Sequence, residues 1–331
     1  MELNIKEILG RFPLRVAITD FCNLKCFFCS NEGMGKCNKN KENIDFNHLG
    51  KLLKILRKEG LTKIALTGGE PSIYPNIKEL LDLIIKLDFK QTFFHTNGVF
   101  LDKVMANLIH FTKIGISVHS FQFSKWKKIT GGSKMQFNNL LSNLKNIKRQ
   151  RENSKDFPLV EIKHVIVKGI NSDKKSLKNT LDFCAKNKFK FKFLNCEPIN
   201  QNDLNHVESD EEIKRRLIDI GCKPISQDKN FRGEKEYNPI YWFEYKGQKG
   251  VFIEIGCGNK IPCKYCYSTN EIFLTPTLEI KPCHLSNAKY DLKDNIKNEQ
   301  KKEILEKIYK SRLFLFNFPK TNKRRHWENE K

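Results

Sequence analysis

The sequence lacks a long apolar run. No stretch of about 18 consecutive apolar residues, the minimum for a membrane-spanning helix, occurs in its 331 residues. Residues 1–12 alternate charged and apolar side chains and lack the apolar segment of a secretory signal peptide. Hydrophobic residues still make up 39% of the chain, which provides a sizeable core and excludes a mainly disordered protein. We therefore expect a soluble, cytoplasmic protein with roughly two domains or one large barrel.

Acidic residues are also scarce. The chain has 38 Asp and Glu against 60 Lys and Arg, a formal net charge of +22. Such a charge attracts nucleotides, nucleic acids or acidic peptides. The lysines are spread over the whole chain without a long basic block, so we interpret the charge mainly as a compositional bias. A non-catalytic nucleic-acid-binding protein that carries zinc or an iron–sulfur cluster stays open as a distant alternative.

Strand-like and helix-like segments alternate through the first two hundred residues. The predicted strands are short apolar or β-branched runs at 14–18, 63–66, 91–95, 114–118, 159–167 and 189–194. The predicted helices lie at 46–59, 76–88, 102–111, 135–151 and 172–186. This rhythm predicts a parallel sheet with helices outside it. Six repeats favour an open, partial β/α barrel over a closed eightfold one, with a doubly wound sheet as the alternative.

The pattern changes after about residue 200. Segments 241–245 and 251–255 flank Lys-Gly-Gln-Lys-Gly and predict a hairpin. A cysteine-rich stretch, a helix near 297–310 and a charged tail follow. We therefore predict a barrel domain over residues 1–200 and a C-terminal region over residues 201–331.

Clustered cysteines mark the end of the first predicted strand. Of 11 cysteines, Cys22, Cys26 and Cys29 have the spacing C-x3-C-x2-C. Cysteines in a reducing cytosol do not form disulfides, so such a cluster indicates metal or redox chemistry. Three thiolates can hold three irons of a 4Fe–4S cluster and leave the fourth iron open to a ligand. A ferredoxin would fill all four positions, zinc would favour cysteine pairs, and simple burial is the structural alternative.

Small or polar residues follow the other predicted strands. The segments are Thr67-Gly68-Gly69-Glu70-Pro71, Thr96-Asn97-Gly98, Ser117-Val118-His119-Ser120, Lys168-Gly169-Ile170-Asn171 and Asn195-Cys196-Glu197-Pro198. In β/α barrels the chemistry gathers at the carboxyl ends of the strands, and glycine there lets a ligand approach the backbone. Their joint placement predicts a site at this edge of the sheet.

The cysteine triplet followed by Gly68-Gly69-Glu70-Pro71 resembles the radical S-adenosylmethionine (SAM) superfamily. The resemblance implies a partial six-stranded β/α barrel and a 4Fe–4S cluster whose open iron is chelated by the amine and carboxylate of SAM. It also implies reductive cleavage of SAM to methionine and a deoxyadenosyl radical that abstracts hydrogen from the substrate. An electron donor such as flavodoxin or ferredoxin is the implied partner. The implied SAM contacts are Gly68, Gly69 and Glu70 at the methionyl amine, Phe28 near the adenine, and Ser117.

A second group of cysteines has the spacing Cys257-x5-Cys263-x2-Cys266-x16-Cys283. Three or four such ligands hold a second iron–sulfur cluster or a zinc ion, and the spacing alone does not choose between them. Beside a radical SAM barrel we favour an auxiliary 4Fe–4S cluster. Ligation by Cys257 stays open: three ligands leave one iron for the substrate, whereas four make an electron relay.

A narrower resemblance runs from about residue 10 to residue 310. The segments 14–22, 163–171, 192–197 and 262–283 are similar to the MoaA family, the GTP cyclases that open molybdenum-cofactor biosynthesis. The resemblance implies that Arg15 and Thr96 occupy substrate-contact positions.

The sequence departs from that family at positions that grip GTP. Ala65 stands where the family has an arginine, Glu161 where it has a lysine, and the arginines that follow the second C-x2-C pair are replaced. The family's C-terminal Gly-Gly tail is absent. A triphosphate needs several cationic partners, each worth roughly 1.5–3 kcal/mol. We therefore expect a substrate other than GTP, with Lys260, Lys264 and Lys281 as candidate replacement cations.

The leading hypothesis is a MoaA-like radical SAM enzyme with two 4Fe–4S clusters. It would abstract hydrogen from a small, phosphorylated or nucleotide-like substrate, and rearrangement or carbon–carbon bond formation would follow, as in a lyase or cyclase. A radical SAM enzyme that matures a ribosomal peptide is the second hypothesis, because the phosphate contacts are missing.

Several other residues receive a structural interpretation. Cys184 is predicted to be core, Cys37 incidental, and His95 and His119 satisfied structural histidines. Cys196, at a strand end, is a weaker site candidate, and Cys222 is unassigned. Segment 121–126 is predicted to be either the start of a packed helix or a surface on which a base stacks.

Overall fold

The computed structural model describes residues 4–34, 42–154, 156–197, 201–226, 240–254, 271–284 and 286–316. The strands are β1 Leu14–Ala17, β2 Lys63–Thr67, β3 Gln91–Thr96, β4 Lys113–Ser117, β5 Leu159–Ile166, β6 Lys190–Asn195, β7 Lys223–Ser226, β8 Ile240–Tyr245, β9 Gln248–Ile253, β10 Ile272–Leu274, β11 Glu279–Lys281 and β12 Tyr290–Asp291. The α-helices are α1 Ile5–Arg11, α2 Phe46–Lys58, α3 Ile77–Lys86, α4 Met105–Leu108, α5 Phe123–Thr130, α6 Lys134–Asn153, α7 Lys174–Asn187, α8 Asp210–Asp219, α9 Lys293–Lys297 and α10 Lys301–Phe316.

Strands β1 to β6 form a parallel sheet in the order of the chain. Each strand pairs with the next one, and helices connect them. A doubly wound sheet would reverse its strand order at one point, and this sheet does not. The partial six-stranded β/α barrel is therefore confirmed, and the carboxyl ends of all six strands share one edge.

The strands after residue 200 extend both edges of this sheet. Strand β10 lies parallel beside β1 and continues into β11 and β12, while β9 lies parallel beside β6 and continues into β8 and β7. The predicted hairpin is confirmed as β8–β9, whose turn residues Lys246 and Gly247 have φ of 48° and 78°. Positive φ at both positions is the geometry that matches the twist of a hairpin. The domain division at residue 200 stays a prediction.

Amphipathic helices cover the sheet and form the core. Helix α2 begins after Asp45, whose carboxylate accepts the His48 N–H at 2.8 Å, and it buries Leu49, Leu52 and Leu56. Asp45 thus provides a preferred N-cap, and the leucines recur at helical spacing. Trp126 is fully buried, which confirms that segment 121–126 leads into a packed helix.

Two helical expectations differ from the structure. The helix predicted at 102–111 is a 3-10 turn, Leu101–Lys103, followed by the four-residue α4, because Val104 at φ −124° breaks the helical backbone. Helix α1 was not predicted, although Asn4 and Glu7 form a reciprocal capping box at its start. No helix of the described residues is long and apolar enough to cross a membrane.

Candidate functional site

The loops after β1 and β2 lie against each other at the carboxyl edge of the sheet. The Gly69 N–H donates to the Thr19 carbonyl at 2.7 Å, and the Glu70 N–H donates to the Phe21 carbonyl at 2.7 Å. A Cβ added at Gly69 would lie 2.0 Å from the Phe21 oxygen, and one added at Gly68 would lie 2.3 Å from the Thr19 oxygen. Only glycine permits this approach. The two glycines therefore fix the segment that leads directly into Cys22.

The three cysteines of the first cluster follow this segment. The Cys22 sulfur accepts the Leu24 N–H at 3.4 Å, and the Cys29 sulfur accepts the Asn31 N–H at 3.3 Å. Burial raises the pKa of the Cys26 thiol well above its ordinary value, and the neighbouring Cys29 and Cys22 raise it further. Three thiolates so close together repel one another unless cations bind between them. The triplet thus has the electrostatics of a metal-cluster site.

A buried side chain next to the cysteine triplet tests whether a metal cluster fits there. In such a cluster each thiolate binds a different iron. Asn31, two residues after Cys29, is 1% exposed, and its amide nitrogen and oxygen have no partner among the described residues. Buried amides are normally satisfied, so a bound group beside this loop would complete Asn31. The residues present fit a 4Fe–4S cluster with a further ligand.

Glu70 joins the ends of two strands. Its buried carboxylate accepts the Ser72 hydroxyl and the Thr96 hydroxyl at 2.6 Å each, and the Asn97 N–H at 2.6 Å. Burial raises its pKa, which these hydrogen bonds partly oppose. The structure thus gives Glu70 and Thr96 a shared role in ordering the loop after β3. Their predicted contacts, with the SAM amine and with substrate, stay predictions.

Phe28 and Ser117 lie on the same edge. Phe28 packs against the cluster of Ile129, Val167 and Ile170, and its ring meets His119 edge-on with centroids 5.2 Å apart. Burial lowers the pKa of His119 to about 4, and its Nδ1 accepts a backbone N–H, which agrees with a structural histidine. The Ser117 side chain makes no hydrogen bond within the described part of the chain and is half-buried. Its predicted contact with SAM stays a prediction.

Arg15 is engaged by a glutamate that the sequence analysis did not single out. Its guanidinium donates to both Glu32 oxygens, at 2.6 and 3.0 Å, and lies 3.4 Å from Glu271. The Thr67 hydroxyl donates to the same Glu32 carboxylate at 2.7 Å. Although burial opposes ionisation, Arg15 lowers the pKa of Glu32 to about 2. The candidate substrate arginine is therefore neutralised within the protein.

A second ion pair lies inside the barrel. The Lys113 amine contacts the Glu161 carboxylate at 2.6 Å across β4 and β5. Although burial raises the pKa of Glu161, Lys192 and Lys113 lower it below its ordinary value. Beside them, the Lys163 amine lies 2.8 Å from His95 Nδ1. The structural interpretation of His95 as simply satisfied therefore misses its lysine partner.

Most of the second cysteine group falls outside the described residues. Cys257, Cys263 and Cys266, together with Lys260 and Lys264, lie there, as does Cys37. Cys283 is buried at the end of β11. Lys281 donates to the His284 carbonyl at 2.8 Å, so its predicted role as a replacement cation stays a prediction.

The remaining cysteines lie in the protein interior. Cys184, on α7, and Cys222 belong to the main core cluster, which agrees with the structural interpretation of Cys184. Cys196 is 1% exposed at the end of β6. None of the described cysteines forms a disulfide.

The charged residues inside the barrel had a sequence signal. Lys113, Glu161, Lys163 and Lys192 alternate along their strands with buried apolar residues such as Ile114, Ile162 and Phe193. Period-two alternation places such residues on one face of the sheet. Charged side chains on that face need ion-pair partners or a ligand. The sequence alone does not tell which residues those partners are, because that depends on the fold.

Comparison with known proteins identifies the relatives of this chain. The radical SAM superfamily profile matches residues 16–184. A GTP 3',8-cyclase of Clostridium botulinum is 28% identical over 310 residues, which cover 91% of this chain and 90% of that protein. A GTP 3',8-cyclase of Thermodesulfovibrio yellowstonii is 26% identical, with coverage of 90% and 89%.

Solved structures share the fold. SuiB of Streptococcus suis, bound to S-adenosylmethionine, has a TM-score of 0.61 at 16% identity and covers 94% of this chain and 67% of its own. The enzyme anSMEcpe with bound AdoMet has a TM-score of 0.56 at 16% identity, with coverage of 89% and 80%. These similarities extend beyond the barrel to nearly the whole chain.

Proposed function

The chain belongs to the radical SAM superfamily, and on that premise we propose that it cleaves SAM reductively to abstract hydrogen from a small anionic substrate. Two observations carry the proposal: the segment that leads into Cys22 packs on the Gly68-Gly69 backbone, and the buried Asn31 amide that follows Cys29 has no partner among the described residues. Cys22, Cys26 and Cys29 would hold three irons of a 4Fe–4S cluster. SAM bound beside that cluster would supply the radical chemistry that removes a hydrogen atom from the substrate.

The chain's own residues position the reactants. Gly68 and Gly69 let their backbone pack closely against the segment before Cys22. Glu70 connects this backbone to the loop after β3 through its hydrogen bonds with Thr96 and Asn97. Phe28 and Ser117 lie at the same carboxyl edge of the sheet. In such enzymes the protein supplies binding, orientation and exclusion of competing reactions, while the cofactor supplies the difficult chemistry.

A second cluster near Cys283 is part of the proposal. Cys283 is buried, and Cys257, Cys263 and Cys266 precede it at a spacing that suits an iron–sulfur cluster or a zinc ion. The GTP 3',8-cyclases that match this chain over about nine-tenths of its length make a nucleotide the first substrate class to test. Rearrangement or carbon–carbon bond formation is the proposed outcome.

The test is anaerobic reconstitution followed by SAM cleavage. The reconstituted protein is expected to bind about eight irons per chain, as two 4Fe–4S clusters require. With SAM and dithionite as reductant, it is expected to release 5'-deoxyadenosine. GTP and GMP are then added separately to look for substrate-stimulated cleavage and a new product. Iron incorporation without any deoxyadenosine would contradict the proposed function.

Peptide maturation is the second candidate. It is favoured by the ion pairs of Arg15 with Glu32 and of Lys113 with Glu161, which leave less free positive charge for a triphosphate. A short peptide encoded beside the gene would then be modified in a SAM-dependent reaction. Mass spectrometry of that peptide after co-expression distinguishes the two candidates.

A further inference from the structure

The interior of the barrel contains a lysine that has no carboxylate at hydrogen-bond distance among the described residues. Lys163, on β5, lies in register with Ser117 on β4 and with Lys192 on β6. Its amine lies 2.8 Å from Nδ1 of His95, on β3. The side chain crosses β4 to reach that histidine, so strands β3, β4 and β5 all contribute to the pair.

Gly115 provides the space for this pair. A Cβ at Gly115 would lie 2.7 Å from Lys163 Cε and 2.9 Å from His95 Nδ1. Any other residue at this position would push the two groups apart. Both Lys163 and His95 are only half-buried, so the pair faces space inside the barrel and is not sealed in the core.

The surroundings favour the neutral form of the amine. Burial, together with repulsion by Lys192, Arg15 and Lys113, lowers the pKa of Lys163 to about 7, and Glu161 opposes this only in part.

The histidine is neutral as well. Burial and the same cations, with Lys163 first among them, lower the pKa of His95 well below its ordinary value. A neutral amine beside other cations is the usual state of lysines that act as nucleophiles.

We propose that Lys163 is a catalytic residue whose amine forms an imine with a small aldehyde or ketone that carries a carboxylate or phosphate. This inference rests on the proposed function, because it narrows the class of small anionic substrate. Lys192, in register with Lys163 on β6, favours a substrate with a negative group.

The step balances without an oxidant or reductant. The amine nitrogen attacks the carbonyl carbon, and His95 Nδ1, in the Nε2–H tautomer, carries the first of the two nitrogen protons to the carbonyl oxygen, which becomes a hydroxyl. His95 Nδ1 then carries the second nitrogen proton to that hydroxyl, which leaves as water as the carbon–nitrogen double bond forms. One amine and one carbonyl thus give one imine and one water.

The test is reductive trapping, mapped residue by residue. The reconstituted protein is incubated with glyoxylate, pyruvate or glyceraldehyde 3-phosphate and cyanoborohydride at pH 6 to 9, and its peptides are analysed by mass spectrometry. We expect an adduct at Lys163 that forms faster as the pH rises through about 7. Lys113 is the internal control, because the Glu161 carboxylate occupies its amine at 2.6 Å.

Variants separate the roles of the pair. Lys163→Arg should abolish the internal adduct, and His95→Gln should slow its formation by about tenfold or more while shifting its pH profile, because general acid–base catalysis typically contributes more than that. If Lys163→Arg does not fold, the positions of the adducts in the wild-type protein still test whether Lys163 forms the imine. An unmodified Lys163 with all three probes at pH 8, while surface lysines react, would overturn the inference.

The assay also separates this inference from the proposed function. Deoxyadenosine formation is measured in the same preparation. If deoxyadenosine forms and Lys163 is not trapped, only the inference fails. If Lys163 is trapped and deoxyadenosine does not form, the proposed function fails, and the amine site stands by itself.

Discussion

Arg15 and Glu32 form a two-point ion pair at the edge of the barrel, with nitrogen–oxygen distances of 2.6 and 3.0 Å. Glu32 adopts a left-handed backbone conformation, φ 56°, which is uncommon for a residue other than glycine. The loop directly after the cysteine triplet thereby places a carboxylate on the arginine expected to meet substrate. An ion pair therefore joins the cysteine loop to the arginine that is predicted to contact substrate.

Removal of this carboxylate should make the site more attractive to polyanions. In Glu32→Gln, Arg15 becomes available for charge-assisted bonds, each worth roughly 1.5–3 kcal/mol, so GTP should bind about tenfold more tightly or better. Isothermal titration with GTP measures this change. Glu271→Gln is the matched control with a smaller effect, because Glu271 lies farther from Arg15, at 3.4 Å. Equal GTP affinities of Glu32→Gln and wild type would contradict the neutralising role.

Gly69→Ala should disrupt the cysteine loop. The added Cβ would lie 2.0 Å from the Phe21 carbonyl oxygen, so the segment before Cys22 must move. We expect a loss of about 1–3 kcal/mol in the free energy of unfolding, as for other overpacked sites, together with reduced iron content after reconstitution. Gly10→Ala in helix α1 is the control, since its Cβ meets nothing within 4 Å. Equal iron content in the two variants would argue against the proposed packing.

Glu70→Gln should destabilise the strand-end edge. The amide has only one oxygen, so at least one of the donors Thr96 and Asn97 faces a second donor instead of an acceptor. An unsatisfied buried group costs about 1–3 kcal/mol, which urea unfolding measures. The exposed Glu79→Gln is the control and should change the unfolding free energy by about 1 kcal/mol or less. A Glu70→Gln variant as stable as wild type would show that these hydrogen bonds matter little.

The pH dependence of stability should reveal Lys163. Its pKa is about 7 in the folded protein against an ordinary 10.5. Between these two pH values the unfolded state binds more protons than the folded state. The free energy of unfolding therefore rises with pH across this window, by up to about 1.4 kcal/mol per pH unit. Below pH 7 the full destabilisation by the Lys163 amine applies. Lys163→Met should be more stable than wild type at pH 7, and the difference should shrink towards pH 10. If the unfolding free energies of wild type and Lys163→Met differed by a constant amount from pH 7 to pH 10, a depressed pKa of Lys163 would be excluded.

The barrel strands and the cysteine site were predictable because their signals are local. The predicted strands lie within two residues of β1 to β6 at each end, since apolar runs between helical patterns determine them. The cysteine triplet and Gly68-Gly69-Glu70 are short motifs at two of these strand ends. The strand order then follows from the preference of βαβ units for adjacent parallel pairing.

The partners inside the barrel were not predictable, because they depend on contacts between distant segments. Arg15 meets Glu32 across 17 residues and Glu271 across 256, and Lys163 meets His95 across 68. Strand β10 joins β1 from the far end of the chain. Only the register of the folded sheet decides which charges face each other. Local motifs therefore predict the cysteine loop, whereas the charge pairs inside the barrel need the folded structure.

The most direct test of the account is SAM cleavage by Cys26→Ala. Wild type, Cys26→Ala and Cys184→Ala are reconstituted anaerobically, and 5'-deoxyadenosine is measured with dithionite as reductant. Cys184 lies buried on α7 and serves as the matched cysteine control. The account predicts deoxyadenosine from wild type and Cys184→Ala and only background from Cys26→Ala. Undiminished deoxyadenosine formation by Cys26→Ala would contradict it.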